Sequence, residues 1–286
     1  MGWDPSKLSH PLVTVGSMAL PLPTSLTPSK VASFKDCALA FKFSTIDRLP
    51  EPPAPHTTKG TLVHRALELL FCVEPATDRT VPAALRCLEQ AQSELRDDPE
   101  YAGLGLTFDE EATFLSEAEA LLRNYFLLED PAAIQPIGLE LRLEAELGSL
   151  RLRGIIDRLE LDAGKLVVTD FKTGRAPKER YEQGRLGGVH FYAFLCERLF
   201  GRRPDRIQLL YLQEPVAIIA EPTEQSIKGL EQRATAIWRA VERACETENF
   251  KPRPSGLCEW CSFGSYCPAW GGDPAKASEL LPLVPA

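Results

Sequence analysis

Two carboxylates on neighbouring strands are the feature that most constrains this sequence. Between Leu139 and Thr173, apolar residues recur with the period of two that is typical of β-strands, and Asp162-Ala163-Gly164 interrupts the run with residues that favour a tight turn. A hairpin closed at this turn brings Asp157 and Asp170 to one level of two antiparallel strands. The sequence therefore predicts a sheet with two acidic side chains close together.

A lysine follows the second carboxylate and extends the chemistry. Two close carboxylates repel each other unless a cation lies between them, and their hard oxygen atoms suit Mg²⁺ or Mn²⁺. Lys172 lies two residues after Asp170, so its side chain leaves the strand on the same face. An ammonium group there can position water and stabilise charge on a phosphate, as metal-assisted phosphodiester hydrolysis requires. An ordinary surface salt bridge is the alternative, because Asp-x-Lys on its own is common.

Helices are predicted around these strands. Thr27-Pro28 is typical of a helix start, and this helix is expected to continue to about Phe43 and to include Cys37. On the next predicted helix, His64 and Glu68 share a face. The remaining predicted elements are a helical block over 82–128 with a break near 99–105, helices over 179–200 and 223–248, and strands over 207–213 and 216–220.

The length of 286 residues favours one large domain, which we expect over residues 27–270, with flexible tails at 1–26 and 271–286. The helical block at about 80–130 is expected to be an insertion. A hydrophobic content of 44% and a charged content of 25% exclude a mostly disordered or coiled-coil chain. Because neither a membrane-spanning run nor a signal peptide is recognisable, a cytoplasmic protein is expected.

Charge is distributed unevenly along the chain. The formal net charge is −8, but residues 87–146 contain 15 acidic and 3 basic residues, whereas residues 172–206 contain 9 basic and 4 acidic residues. A polyanion is therefore expected to bind the second segment and to be repelled by the first. Solvated helix faces are the alternative explanation for either run.

Four motifs, in the same order, resemble those of the RecB-like exonucleases of the PD-(D/E)XK nuclease superfamily, which include AddB nuclease domains and CRISPR-associated enzymes. They are Gly60-Thr61-Leu62-Val63-His64, Gly154-Ile155-Ile156-Asp157, Asp170-Phe171-Lys172-Thr173-Gly174 and a terminal cysteine cluster. The resemblance covers about residues 27–270. It implies an α/β fold with a restriction-endonuclease-like core, in which a mixed central sheet is flanked by helices and carries a helical insertion and an iron–sulfur staple.

The resemblance also implies roles for individual residues. His64, Asp157 and Asp170 are implied as metal ligands, together with the backbone carbonyl of Phe171, and Lys172 is implied as the catalytic lysine beside the catalytic carboxylates Asp157 and Asp170.

Further residues are candidates for contacts with the substrate: Glu140, Arg175, Lys178, Tyr181, Arg185 and Tyr192. Glu140 occupies the place where many relatives carry an acidic residue on the first core strand. Relatives also place a Gln four residues before the tyrosine, whereas this chain has Gly188 there, so His190 and Gln183 are the alternatives for that contact.

The cysteines form the second strong pattern. Cys258, Cys261 and Cys267 lie in a short loop near the end of the chain, and Cys37 lies near its beginning. The resemblance implies a [4Fe–4S] cluster held by these four thiolates, and Zn²⁺ on the same ligands is the alternative. Either group would join the two ends of the chain. Four more cysteines are expected to be buried as small apolar residues: Cys72, Cys87, Cys196 and Cys245.

The resemblance implies a metal-dependent exonuclease that hydrolyses DNA, from the ends of single strands, in DNA repair or recombination. Two alternatives remain open. One is a non-catalytic DNA-binding module that acts with a helicase or recombination partner, and the other is a CRISPR-associated processing nuclease. The sequence leaves the cleavage polarity and the oligomeric state undetermined.

Overall fold

Five strands form one mixed sheet, in which the spatial order follows the order in the chain. The computed structural model describes residues 20–177 and 179–280, without the side chains of 179–187 and Ser278. The strands are β1 (Pro136–Leu147), β2 (Leu150–Asp162), β3 (Lys165–Lys172), β4 (Arg206–Tyr211) and β5 (Val216–Ala220). Neighbouring strands are antiparallel except β3 and β4, which are parallel. The predicted α/β fold with a mixed sheet is confirmed.

The predicted hairpin between β2 and β3 is present. Asp162 pairs with Lys165, and the two residues between them both have a positive φ, 48° for Ala163 and 80° for Gly164. Two positive φ values match the turn geometry that follows the right-handed twist of a hairpin. The register continues to Arg158 opposite Thr169, so Asp157 and Asp170 arrive at the same level of the sheet.

Helices surround the sheet. They are α1 (Pro28–Asp36), α2 (Ala38–Phe41), α3 (Pro55–Phe71), α4 (Val81–Leu95), α5 (Pro99–Ala102), α6 (Phe108–Tyr125), α7 (Glu179–Phe200), α8 (Glu224–Thr247) and α9 (Pro274–Leu280). Thr27 accepts a hydrogen bond from the backbone N–H of Lys30, and Thr107 and Glu110 form a reciprocal capping box on α6, so both helix starts have a local cause.

Each face of the sheet has its own core. Helices α7 and α8 pack on one face, around residues such as Val168 and Trp238. The helical block α3, α4 and α6 packs on the other face, around residues such as Phe171 and Leu122. Because Val168 and Phe171 belong to opposite cores, strand β3 is buried on both faces, which explains its almost continuous run of apolar residues.

Three boundaries differ from the sequence expectations. The helix predicted to continue through Cys37 breaks at that residue, which is extended at φ −160° and ψ 111° between α1 and α2. The predicted N-terminal tail ends earlier than residue 26, because Leu26 is fully buried and pairs with Leu152 of β2. In the predicted C-terminal tail, α9 forms and buries Ala277, since an apolar contact outweighs the local proline and glycine content. Residues 1–19 and 281–286 of these tails lie outside the described residues.

None of the helices in the described ranges is both long enough and apolar enough to cross a membrane.

Candidate metal centre

Three ligand-type side chains meet beside the centre of the sheet. One ligand atom each from His64, Glu140 and Asp157 lies within 4.8 Å of the other two. His64 Nδ1 is 3.6 Å from an Asp157 carboxylate oxygen and 4.0 Å from a Glu140 oxygen. His64 comes from α3, Glu140 from β1 and Asp157 from β2, so three separate segments of the chain build one cluster.

The imidazole of His64 is held in one orientation. Its Nε2 lies 3.0 Å from the carbonyl oxygen of Phe171. We assign the proton to Nε2, because a carbonyl oxygen can only accept a hydrogen bond. Nδ1 then carries the lone pair and faces the carboxylates of Glu140 and Asp157. A histidine whose second nitrogen is fixed by a hydrogen bond is the arrangement that metal-binding histidines use.

A break in the strand geometry directs Glu140 into the cluster. Its φ is 45°, in the left-handed region that glutamate rarely adopts. Leu139 packs in the core beside α3, whereas Leu141, two residues later, packs in the opposite core. A regular strand would put both side chains on one face. The side-chain alternation therefore changes at Glu140, and a backbone outlier of this kind is a device that re-aims side chains near functional sites.

Asp157 and Asp170 have different hydrogen-bond partners. Asp157 accepts a hydrogen bond of 2.6 Å from the backbone N–H of Phe171. Asp170 accepts one of 2.9 Å from the hydroxyl of Tyr192 and forms an ion pair with Lys172. The predicted ligand Asp170 thus lies outside the tight cluster, and its carboxylate is already engaged with two side chains.

Helix α7 approaches the sheet closely because of a glycine. A Cβ atom placed on Gly154 would lie 3.0 Å from Leu195 and 3.2 Å from Tyr192. Only glycine accommodates α7 at this distance without displacing it. The glycine of the Gly154-Ile155-Ile156-Asp157 motif therefore permits Tyr192 to reach Asp170.

Burial and mutual repulsion shape the electrostatics of the cluster. Burial and then the charge of Asp157 raise the pKa of Glu140 to about 7. Burial and then the charge of Asp170 hold the pKa of Asp157 well above its usual range. Burial lowers the pKa of Lys172, but Asp170 and Asp157 outweigh it and leave a net increase. The carboxylates therefore gain from a cation in addition to Lys172.

These donors fit a divalent cation. Carboxylate oxygens suit Mg²⁺ or Mn²⁺, whereas an imidazole nitrogen is a ligand that softer ions such as Zn²⁺ also accept. His64, Glu140 and Asp157 offer such atoms directly. Asp170 adjoins this set through its charge interaction with Asp157, and the carbonyl of Phe171 adjoins it through the contact with His64.

Sequence reasoning missed a buried ion network directly beneath the cluster. Arg158, fully buried, pairs with Glu129 through bonds of 2.8 and 2.9 Å and with Glu160 at 3.0 Å. It also donates to the hydroxyl of Thr169 at 2.9 Å. Because Arg158 follows Asp157 in sequence and Thr169 precedes Asp170, the network fixes the backbone beside both carboxylates. The available signal was the charged pair Asp157-Arg158 directly after the apolar pair Ile155-Ile156.

The predicted substrate contacts divide into three groups. Arg175 and Tyr192 line the cavity at the cluster, and so does Gly188 at the position of the expected glutamine. Glu140 belongs to the metal cluster itself. Lys178 lies outside the described residues, as do the side chains of Tyr181, Gln183 and Arg185.

The four predicted cluster cysteines line one cavity of about 310 Å³. The backbone N–H of Arg253 donates to Cys37 Sγ at 3.4 Å, and that of Ser255 donates to Cys258 Sγ at 3.3 Å. Burial raises the pKa of the Cys261 thiol, and the other three thiols raise it further, so thiolates here gain from a cation between them.

The four Sγ atoms do not form a tight group: in the described part of the chain, no three of them lie within 4.8 Å of one another. Four thiolates are the ligand set of a [4Fe–4S] cluster and also of a tetrahedral Zn²⁺. Of the other cysteines, Cys87, Cys196 and Cys245 are buried as expected, whereas Cys72 is exposed at the end of α3.

A mixed sheet that gathers carboxylates and a lysine on neighbouring strands is the framework of a nuclease. Residues 25–268 match the family model of the PD-(D/E)XK nuclease superfamily, and the chain belongs to that superfamily.

Curated relatives come from mycobacteriophages. The chain is 22% identical over 271 residues to the Gene 69 protein of Mycobacterium phage D29, a match that covers 85% of this chain and 96% of that protein. It is 26% identical over 135 residues to the Gene 69 protein of Mycobacterium phage L5, where the match covers 46% of this chain and only 44% of the phage protein.

Two solved structures were also found to be similar. One is SSO0001, with a TM-score of 0.37 and 18% identity over 74% of this chain and 84% of that chain. The other is a protein of Eubacterium rectale that is provisionally named an exonuclease, with a TM-score of 0.49 and 12% identity over 83% of this chain and 87% of that chain.

Proposed function

We propose that this protein is a metal-dependent nuclease that hydrolyses phosphodiester bonds in DNA, as an exonuclease acting on the ends of single strands. The observation that carries the proposal is the meeting of His64, Glu140 and Asp157 beside the Asp170–Lys172 pair, in a chain that belongs to a nuclease superfamily. Mg²⁺ or Mn²⁺ is the proposed metal. Asp170 and the carbonyl of Phe171 complete the proposed ligand set.

Each residue has a defined task in this proposal. The bound metal would activate water and neutralise phosphate oxygens. His64, Glu140 and Asp157 hold it, and their positions are set by α3, β1 and β2. Lys172 orients the attacking water or stabilises charge that develops on the phosphate. Tyr192 and Lys172 hold Asp170 in place.

The cysteines are proposed to hold a [4Fe–4S] cluster. Its support is the common cavity of the four thiols and the backbone N–H donors to two of them. Anaerobic purification followed by iron, sulfide and zinc analysis tests this assignment. About four irons and four sulfides per chain are expected, and zinc without iron would overturn it.

A role in DNA repair or recombination, with a helicase or recombination protein as partner, is part of the same proposal. The proposed substrate is a single strand with a free end. The cavity at the cluster is bordered by helices α1 and α7, and a cleft bordered by helices admits one strand more easily than a duplex.

Digestion of end-labelled DNA tests the function. Single- and double-stranded substrates are incubated with Mg²⁺ or Mn²⁺, and wild type is compared with Lys172→Ala purified identically. We expect wild type to shorten the single strand from one end, and the variant to be slower by about 10²- to 10³-fold. Equal activity in the two proteins would locate the chemistry elsewhere or in a contaminant, and the absence of cleavage in both would refute the proposal.

A further inference from the structure

Two grooves meet at the candidate metal centre. The first, of about 980 Å³, runs from the cluster past the start of α1 and along β2. The second, of about 860 Å³, runs from the cluster along α3. His64, Glu140 and Arg142 line both grooves. A strand bound at the metal centre therefore has two routes away from it, and their charges differ.

The first groove is basic. Besides the shared Arg142, it is lined by Arg153, Lys172 and Arg175, and we call it the basic arm. Apart from the shared Glu140, the only carboxylates among its described lining residues are Asp157 and Asp170, both at the metal centre. Arg153 is four residues before Asp157 on β2, so its Cα atom lies about 13 Å from that of Asp157 along the strand. The basic arm therefore carries positive charge beyond the metal centre as well as at it.

More positive charge surrounds Arg153 at the start of α1. Burial lowers the pKa of Lys30, and the nearby charges of Arg153 and Arg48 lower it further. Within the described ranges, the only ion pair of these three cations is that of Arg153 with Glu144. The first residues of α1 line the groove, and the helix dipole adds positive potential there. Lys30 and Arg48 therefore add positive charge beside Arg153 that no ion pair in the described ranges offsets, and such charge attracts a polyanion.

The second groove has the opposite character, and we call it the acidic arm. Its own cation, Arg65, is bound to Glu68 at 2.6 Å and to Glu94 at 2.7 Å, and all three residues line the groove. Two carboxylates therefore neutralise one guanidinium and leave a negative excess. A phosphate backbone that extended into this arm would be repelled.

We propose that the DNA strand retained by the protein lies in the basic arm, where Arg153 and Arg142 contact its phosphates, and that it does not extend into the acidic arm. This inference rests on the proposed function. It adds the path of the strand, and it names Arg153 and Arg142, which sequence reasoning did not identify, as substrate-binding residues.

A matched pair of arginines makes the path testable. Arg151 and Arg153 both bond to Glu144, at 3.1 and 3.0 Å, and their side chains are 50% and 52% exposed. Only Arg153 lines the basic arm. The experiment measures binding of a labelled single-stranded oligonucleotide by fluorescence anisotropy in EDTA, over a range of salt, for wild type, Arg153→Gln, Arg151→Gln and Arg65→Gln. Thermal unfolding of each variant verifies that it is folded.

We expect Arg153→Gln to weaken binding about fivefold and to reduce the slope of log affinity against log salt by about 0.7, the value for one lost contact to single-stranded phosphate. Arg151→Gln and Arg65→Gln should remain within about twofold of wild type. The inference is wrong if Arg153→Gln binds like Arg151→Gln, if Arg65→Gln weakens binding as much as Arg153→Gln, or if wild type does not bind the strand.

Cleavage is measured separately on the same preparations. If wild type cleaves but Arg153→Gln and Arg151→Gln bind equally, the inference fails and the proposed function stands. If the affinities separate as expected but wild type does not cleave with Mg²⁺ or Mn²⁺, the proposed function fails and the path of the strand stands.

Discussion

The candidate metal centre and the cysteine cavity are two ligand sites that the same chain builds in different ways. The ligand atoms of His64, Glu140 and Asp157 already lie within 4.8 Å of one another, on a helix and two strands of the main core. The four cysteines are further apart. Three of them lie in a segment of short 3₁₀ turns, Gly256–Trp260, Gly264–Tyr266 and Pro268–Trp270.

The difference predicts which of the two sites would depend on a bound group to fold. The metal centre is supported by two large cores and by the Arg158 network, so its geometry is set without an ion. The cysteine segment packs on a small cluster of four buried residues, Phe43, Leu49, Phe263 and Ala277. A group bound by the cysteines would therefore stabilise the fold, whereas the metal at the sheet would serve chemistry alone.

Removing a carboxylate should separate activity from stability. We expect Asp157→Asn to reduce metal-dependent DNA cleavage to the background of the assay, because a proposed ligand is lost. The free energy of unfolding should stay the same or rise, since one of two repelling buried carboxylates becomes neutral. Cleavage of labelled DNA and urea unfolding measure the two effects. If Asp157→Asn is strongly destabilised but still cleaves DNA normally while it is folded, Asp157 serves stability rather than chemistry, and the contrast with the cysteine site is wrong.

Removing a cysteine should have the opposite result. Cys258→Ser is expected to lose the cluster and to destabilise the chain by up to about 5 kcal/mol, the unfolded-state entropy of a cross-link that spans about 220 residues. Iron analysis, thermal unfolding and limited proteolysis near the C-terminus measure these changes. Cys72→Ser, at an exposed cysteine outside the cavity, is the control and should resemble wild type. Equal stability of the two variants would contradict a structural role for the cluster.

The Arg158 network should be the main stabilising feature beneath the metal centre. Arg158→Ala leaves the buried Glu160 and the partly buried Glu129 without their cation, which should cost about 3–5 kcal/mol of unfolding free energy. Arg206→Ala removes an exposed pair with Asp162 at 3.5 Å and should cost less than about 1 kcal/mol. Urea unfolding measures the loss of unfolding free energy in both variants. Similar losses would show that the Arg158 network stabilises the fold no more than an exposed ion pair does.

Of these substitutions, one at the contact between α7 and β2 should change the free energy of unfolding least. A methyl group at Gly154 meets Tyr192 and Leu195, so Gly154→Ala should cost about 1–3 kcal/mol and move the Tyr192 hydroxyl away from Asp170. Nothing lies within 4 Å of a Cβ atom at Gly174, so Gly174→Ala is the matched control and should be nearly neutral. If both alanines are tolerated equally, the close approach of α7 does not depend on Gly154.

Local patterns predicted most of the fold. The period-two strands, the Asp162–Lys165 hairpin and the capped start of α1 at Thr27 follow from neighbouring residues, and the structure has all three. The same hairpin predicted that Asp157 and Asp170 lie at the same level of the sheet. Such features are accessible to sequence reasoning because their cause lies within a few residues.

The features that were missed depend on distant segments. Glu140 enters the cluster through a positive φ that no local residue type requires, and Arg158 finds its partners on the segment after α6 and on neighbouring strands. The break at Cys37 and the burial of Leu26 also depend on contacts across the fold. Tertiary packing decided each of these, and the residues adjacent in sequence do not identify the partners.

Metal binding at the sheet tests the central claim most directly. Calorimetric titration of the folded protein with Mn²⁺ compares wild type with Glu140→Gln and with Glu146→Gln, an exposed glutamate on the same strand outside the cluster. We predict that Glu140→Gln weakens Mn²⁺ binding by at least about tenfold, while Glu146→Gln binds like wild type. Equal affinities in all three proteins would show that His64, Glu140 and Asp157 do not form the metal site.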